Sequence, residues 1–130
     1  MKLALCRNQK SNPQRAGYTL VEIMIVVSLI GLLTAIAIPN FLKSRESTQL
    51  NSIVNNVRVI ENAKDEWALQ NHKGSGEIPD WASLSDYLKG GTVKSVVSET
   101  YTINPIGTNA YAVATVKLGS YDGGTPITSQ

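Results

Sequence analysis

A chain of 130 residues, 42% of them hydrophobic and with a mean hydropathy of −0.06, has the length of one domain and the average polarity of an ordinary soluble protein. The formal charge of +2 is too small and too unevenly placed to indicate a nucleic-acid surface, and one cysteine, Cys6, excludes an internal disulfide framework.

The averages hide a sharp partition. Lys2, Arg7, Lys10 and Arg15 give the first seventeen residues four positive charges and no acidic one, leaving eight basic and ten acidic side chains beyond Gly17. Removal of residues 1–17 would turn the formal +2 into −2 and take away the only thiol. Basic residues flanking an apolar helix favour retention on the cytoplasmic side, so this leader predicts a chain with its amino terminus in and its long carboxyl portion out.

The next segment, Tyr18 to Ile38, is a membrane-length apolar run; between Ile23 and Ile38 it is interrupted only by Ser28, Gly31 and Thr34. As a helix it would be roughly 30 Å long, close to the thickness of a bilayer hydrocarbon core. A secretory signal peptide is the rival reading, because Ala35-Ile36-Ala37 supplies a small-x-small cleavage site. Glu22 near the start of the run, the length of the run and Pro39 just beyond the supposed cut count against it.

Glu22 is the residue that the apolar run must explain. An ionised carboxylate inside a membrane helix costs about 2.5–3.5 kcal/mol on insertion scales and so needs a partner or a wet pathway. A cut after Gly17 would give Tyr18 a free α-amino group four positions before Glu22, within the same helix or offered by a staggered neighbour. Such a pairing would fix register by penalising other offsets.

Gly17-Tyr18-Thr19-Leu20-Val21-Glu22-Ile23-Met24-Ile25-Val26-Val27, with Gly31 and Ala37-Ile38-Pro39-Asn40-Phe41, resembles the amino-terminal signature of type IV pilins and type II secretion pseudopilins. The resemblance implies a prepilin peptidase that cuts after Gly17 and N-methylates Tyr18, where the family usually has phenylalanine. It further implies that Glu22 is the assembly carboxylate and that Gly31 and Pro39 are helix-weakening positions. Glycine costs about 1 kcal/mol in a helix interior and proline removes a backbone hydrogen bond, though Gly31 is equally read as a site of close helix packing.

Beyond Pro39, Leu50, Ile53, Val54, Val57, Ile60, Ala63 and Trp67 recur at spacings of three and four, which predicts an amphipathic helix. Asn51, Asn55, Asn56, Arg58, Glu61, Asn62, Asp65 and Glu66 fall between them as its solvated face, and Ile60 to Leu69 resembles the second half of the long helix in some pilin-like proteins. His72 and Lys73 in a last turn and Gly74 as cap would end a helix of roughly 80 Å, if straight. Further on, Pro79 to Leu88 predicts a short helix capped by Asp80 and closed by Gly90-Gly91. Thr92–Val97, Thr100–Asn104 and Ala110–Lys117 read as short antiparallel strands covering the apolar stripe, and the tail from Gly119 as loosely ordered.

The expected fold is therefore α+β, a long amino-terminal helix packed against a small carboxyl-terminal antiparallel sheet. Its expected organisation is a leader at 1–17, a membrane or filament-core helix at 18–40, an amphipathic continuation at 41–73 and a head at 74–130. Histidine appears once, at His72, and no Cys–His nucleophile or metal cluster can be assembled, so no enzyme, no metal and no cofactor are expected. The resemblance implies a calcium loop in the major pseudopilins, for which Asp122 alone is a poor ligand set.

The functional expectation is a structural subunit anchored in the bacterial inner membrane, then polymerised into a surface pilus or a periplasmic pseudopilus. Its implied partners are further copies of itself, other pilin-like subunits, the peptidase, an inner-membrane assembly platform and membrane lipid, with no nucleic acid. A secreted or singly anchored binding domain is the alternative.

Overall fold

The computed structural model describes residues 17–129; the leader read from the sequence therefore lies, Gly17 apart, outside the described residues. Two compact units divide at Ala37 and Ile38, and helix α1 (Leu20–Gln70) contributes to both. The expected α+β class is what the chain adopts: α1, a short helix α2 (Trp81–Leu84) continued by a 3₁₀ turn at Ser85–Tyr87, and a three-stranded antiparallel sheet.

Among the described residues of the first unit no side chain is buried. The two hydroxyls inside the apolar run are nonetheless satisfied locally, Ser28 Oγ donating to the Met24 carbonyl and Thr34 Oγ1 to the Ile30 carbonyl, each at 2.7 Å. That back-bonding leaves the outer surface of this stretch apolar, the condition for a helix among lipid tails. By length and composition α1 contains a stretch able to cross a membrane.

In the second unit the stripe read from the periodicity forms the core. Ile53, Val57, Ile60 and Ala63 are buried together with Leu84, Leu88, Leu118 and Ile127, while Leu50, Val54 and Trp67 pack at the margin. Facing residues on and around β2 (Tyr111–Val113) are Ala110, Ala112 and Ala114, all buried at the two-residue period of a strand. Three small side chains in a row let the sheet approach the branched residues of α1 closely, which fills the layer without large groups on both sides.

The sheet has the order β1–β2–β3, with β1 (Thr100–Thr102) pairing Thr100 with Val113 and β3 (Pro126–Ile127) pairing Ile127 with Ala112. Two expectations are corrected here. Thr92–Val97 is not a strand, because the amides of Val96 and Val97 are taken by the Glu99 carboxylate. The tail is not loose: β3 closes the sheet, Ile127 is buried, and Gly124 N–H donates to the Ala114 carbonyl at 2.8 Å. Proline at the edge of a sheet forfeits no ladder bond, so Pro126 fits there.

The end of α1 also differs from the expectation. The helix stops at Gln70; His72 takes a left-handed conformation (φ 53°), and Lys73 N–H returns to the Ala68 carbonyl at 2.9 Å. This is the arrangement usually given to glycine, so His72 rather than Gly74 carries the cap. Asp80 does cap α2, accepting from Ser83 N–H at 2.8 Å.

Two buried polar groups were missed by the sequence reading. Lys64, read past on the helix, is 1% exposed: its ammonium donates to the Thr108 carbonyl at 2.7 Å and lies 3.4 Å from Glu61. Glu61 in turn accepts from Ala110 N–H, so a side chain assigned to the solvated face instead staples α1 to the turn before β2. The second is Glu99, which accepts from Val96 and Val97 N–H, from Ser95 Oγ and from the Tyr101 hydroxyl; Asn56 Nδ2 donates to that hydroxyl at 2.8 Å.

Burial alone would raise the Glu99 carboxyl above its usual 4.5, but the Tyr101 hydroxyl and the two amides outweigh it and hold it at about 2. Burial, together with the neighbouring carboxylate, pushes the Tyr101 hydroxyl above its ordinary range.

A folded carboxyl that titrates below the unfolded one contributes fully above pH 4.5 and loses that contribution as the pH falls toward 2. Glu99→Gln is expected to lower stability at neutral pH by about 2 kcal/mol and to flatten the acid limb in that window, read as melting temperature against pH. His72→Gly is expected to raise stability by about 0.5–1 kcal/mol at any pH, visible in the same melts.

Candidate functional site

The structure places the five residues singled out in the sequence along the start of α1. Gly17 and Tyr18 precede the helix outside regular secondary structure, Tyr18 is 82% exposed, and Glu22 stands in the first helical turn. Tyr18 and Glu22 come together: with Ile23, Ile25 and Val26 they line one shallow apolar depression on the helix surface. Gly31 and Pro39 lie further along the same helix and do not share that depression.

Glu22 is held by a feature that sequence reasoning missed. Thr19 N–H donates to Glu22 Oε2 at 2.7 Å, the Thr19 hydroxyl donates to the same oxygen at 2.8 Å, and Glu22 N–H donates to Thr19 Oγ1 at 3.2 Å. This is a reciprocal capping box, in which a Thr at the N-cap and a Glu three residues later satisfy each other's otherwise orphaned amides. The spacing Thr19-Leu20-Val21-Glu22 was its visible signal.

Two chemical consequences follow from that geometry. The box uses Oε2 alone, and Oε1 accepts no hydrogen bond among the described residues. The peptide bond between Gly17 and Tyr18 lies outside the box, because the amide used is that of Thr19, so cleavage there would leave the cap intact. Glu22 is thus anchored to its own helix through one oxygen and presents the other beside Tyr18.

Gly31 has nothing within 4 Å of the position a Cβ would occupy, so no contact among the described residues requires a glycine there. Pro39 lies inside α1 and cannot donate the amide bond that its turn would otherwise make. Among the described residues, no three His, Cys, Asp or Glu side chains come together as metal ligands. Asp122 pairs with Lys117 at 3.0 Å, and its carbonyl accepts from Thr125.

The cap predicts its own test. Thr19→Val removes the hydroxyl that gives and receives, costing about 1 kcal/mol at the helix start, whereas Thr19→Ser keeps it. In detergent micelles, hydrogen exchange at the Glu22 amide is expected to quicken about fivefold in the valine variant and to stay near the parent rate in the serine variant.

The Prokaryotic N-terminal methylation motif matches residues 12–38, the stretch that holds this site. The type II secretion system core protein G of Escherichia coli is 28% identical over 123 residues, covering 87% of this chain and 81% of that protein. The type IV major pilin protein PilA of Myxococcus xanthus is 41% identical over 58 residues, 45% of this chain and 26% of that protein. The core protein G of Vibrio cholerae is 34% identical over 62 residues, 48% of this chain and 42% of its own length. The chain thus spans four fifths of one relative and less than half of the other two. No solved structure matches it. With the methylation motif on the capped carboxylate and a long apolar-to-amphipathic helix behind it, the chain is similar to type IV pilins and to type II secretion pseudopilins alike.

Proposed function

We propose that this chain is a structural subunit of a pilin-like filament, cut after Gly17, N-methylated on Tyr18 and polymerised through the first half of α1. It is the substrate of a prepilin peptidase and itself performs no catalysis. The observation that carries this reading is the free Oε1 of Glu22, held beside Tyr18 in an otherwise apolar helix surface.

From Leu20 to Leu42 every large apolar side chain is at least 50% exposed, a surface that water does not tolerate. Lipid covers it in the inner membrane, with the leader in the cytoplasm; neighbouring copies and other pilin-like subunits cover it once an assembly platform has extracted the chain. The cost of drawing Glu22 through that layer is met when the amine of an incoming Tyr18 supplies a counter-charge. Wrong offsets leave the carboxylate unpaired in a dry environment, so the pair sets the stagger between subunits.

Gly31 and Pro39 loosen the helix between them, which lets a membrane helix adapt to a filament core. The relative whose similarity runs through the head is a secretion-system protein, which favours a periplasmic pseudopilus over a surface pilus.

Mass spectrometry of the chain recovered from cells is expected to show an amino terminus at methylated Tyr18. Gly17→Val should stop the cut, and Glu22→Ala should leave the cut largely intact while lowering filament yield by about tenfold or more. An amino terminus at Ile38 would instead mean ordinary secretion, an uncut Met1 a simple anchor, and normal filaments built from Glu22→Ala alone would remove the charge pair.

A further inference from the structure

Four aspartates occur in the chain, and the residue after each decides how readily the following amide nitrogen can reach the carboxyl carbon. Asp65 and Asp86 lie in helical backbone and precede Glu66 and Tyr87, whose side chains crowd that nitrogen. Asp80 precedes Trp81, and its carboxylate is engaged by Ser83 N–H at 2.8 Å. Asp122 alone precedes a glycine and stands outside helix and strand, and no asparagine in the chain precedes a glycine.

Packing demands that glycine. A Cβ on Gly123 would stand 2.7 Å from the Thr115 carbonyl oxygen, and Gly124, at φ 88°, donates its N–H to the Ala114 carbonyl at 2.8 Å. The turn that launches β3 therefore lies closely against the chain leaving β2. The same lack of a side chain leaves the Gly123 nitrogen open to the carboxyl before it. That nitrogen donates to no acceptor among the described residues. The Asp122 side chain is 74% exposed and pairs with a Lys117 that is itself 68% exposed, an ion pair too open to water to restrain it firmly.

We propose that Asp122–Gly123 is a site of spontaneous covalent modification, where aspartate becomes isoaspartate and β3 is unfastened from β2. The Gly123 nitrogen bonds to Asp122 Cγ and one Cγ–Oδ bond breaks. Water leaves with that oxygen, the amide proton and a proton from solvent, closing a five-membered succinimide. Water then adds and returns a proton: opening at Cγ restores aspartate, and opening at the former main-chain carbonyl leaves isoaspartate, with the chain running through Cβ and Cγ. The cycle needs only water and protons. The Asp122 carbonyl that now receives Thr125 N–H at 3.1 Å and Thr125 Oγ1 at 2.6 Å becomes a free carboxylate, and the main chain lengthens by one carbon. Gly124 and Ile127 then lose the spacing that sets them on Ala114 and Ala112. The inference concerns the head alone and is independent of the filament reading.

Ageing the purified full-length chain in detergent micelles at neutral pH tests it. Isoaspartate is counted by methyl transfer from an isoaspartyl methyltransferase and located with a protease that cuts before aspartate and not before isoaspartate. Conversion at Asp122 is expected to run about tenfold faster than at Asp65, Asp80 or Asp86. Asp122→Glu, whose ring would need six members, is expected to stay unmodified, whereas Asp122→Asn should reach isoaspartate through the same succinimide sooner than the parent. In the modified fraction, hydrogen exchange at the Gly124 and Ile127 amides is expected to quicken about tenfold while that of Ile53 in α1 keeps the parent rate. An Asp122 that stays intact while the denaturant-unfolded chain converts, or that converts no faster than the other three, would overturn the site. Isoaspartate formed there with unchanged exchange at Gly124 and Ile127 would overturn the unfastening.

Discussion

One constraint governs this molecule: a helix whose first half offers apolar side chains on every face and leaves them exposed among the described residues. From Leu20 to Leu42 the large apolar residues all remain half exposed or more. A folded protein can bury such a surface only in lipid or in other proteins, so its environment is written into its first forty residues. Ser28 and Thr34 conform to the same demand by returning their hydroxyls to the helix backbone. Glu22 alone departs from it, which is why the chemistry converges there.

The head answers a different problem. Fewer than a hundred residues, without a disulfide among them, must hold a small sheet on an amphipathic helix, and the apolar layer is thin because β2 contributes only alanines to it. Polar staples complete the attachment. The buried Lys64 binds the Thr108 carbonyl and Glu61 binds Ala110 N–H, fastening the three residues that lead into β2 at both ends. Glu99 gathers four donors at the entrance to β1, and Asn56 ties that cluster to α1 through the Tyr101 hydroxyl. Such groups contribute little beyond what well-packed apolar residues would, yet each accepts one arrangement only, and so they fix register where a two- or three-residue strand cannot.

The elements that were legible in the sequence are those set by period and local chemistry. The apolar run, the stripe from Leu50 to Trp67 and the Asp80 cap follow from spacing alone, and all three stand in the structure. What could not be read depends on partners distant in the chain. Nothing near Lys64 or Glu61 announces Thr108 and Ala110, more than forty residues on, so Glu61 read as a solvated side chain and Lys64 drew no reading. Thr92–Val97 has strand composition but loses its amides to Glu99, and Pro126-Ile127 is too short to read as a strand until Ala112 is placed beside it. The Thr19–Glu22 box was legible and overlooked, because the search for a partner to Glu22 was a search for positive charge.

That box changes what the carboxylate must do. A glutamate with no partner would oppose membrane entry until proteolysis supplied an amine, making insertion and processing hard to order. With two hydrogen bonds already made to Thr19, its desolvation is partly compensated without a cut, and the cap would survive the proposed cut because it draws on the Thr19 amide. On the proposed reading, one oxygen serves insertion and the other is left for subunit recognition. The same separation suits the order of residues: the capping threonine and the carboxylate stand three apart, the spacing at which a side chain in the first turn reaches back to the N-cap, and the aromatic residue precedes them outside the cap.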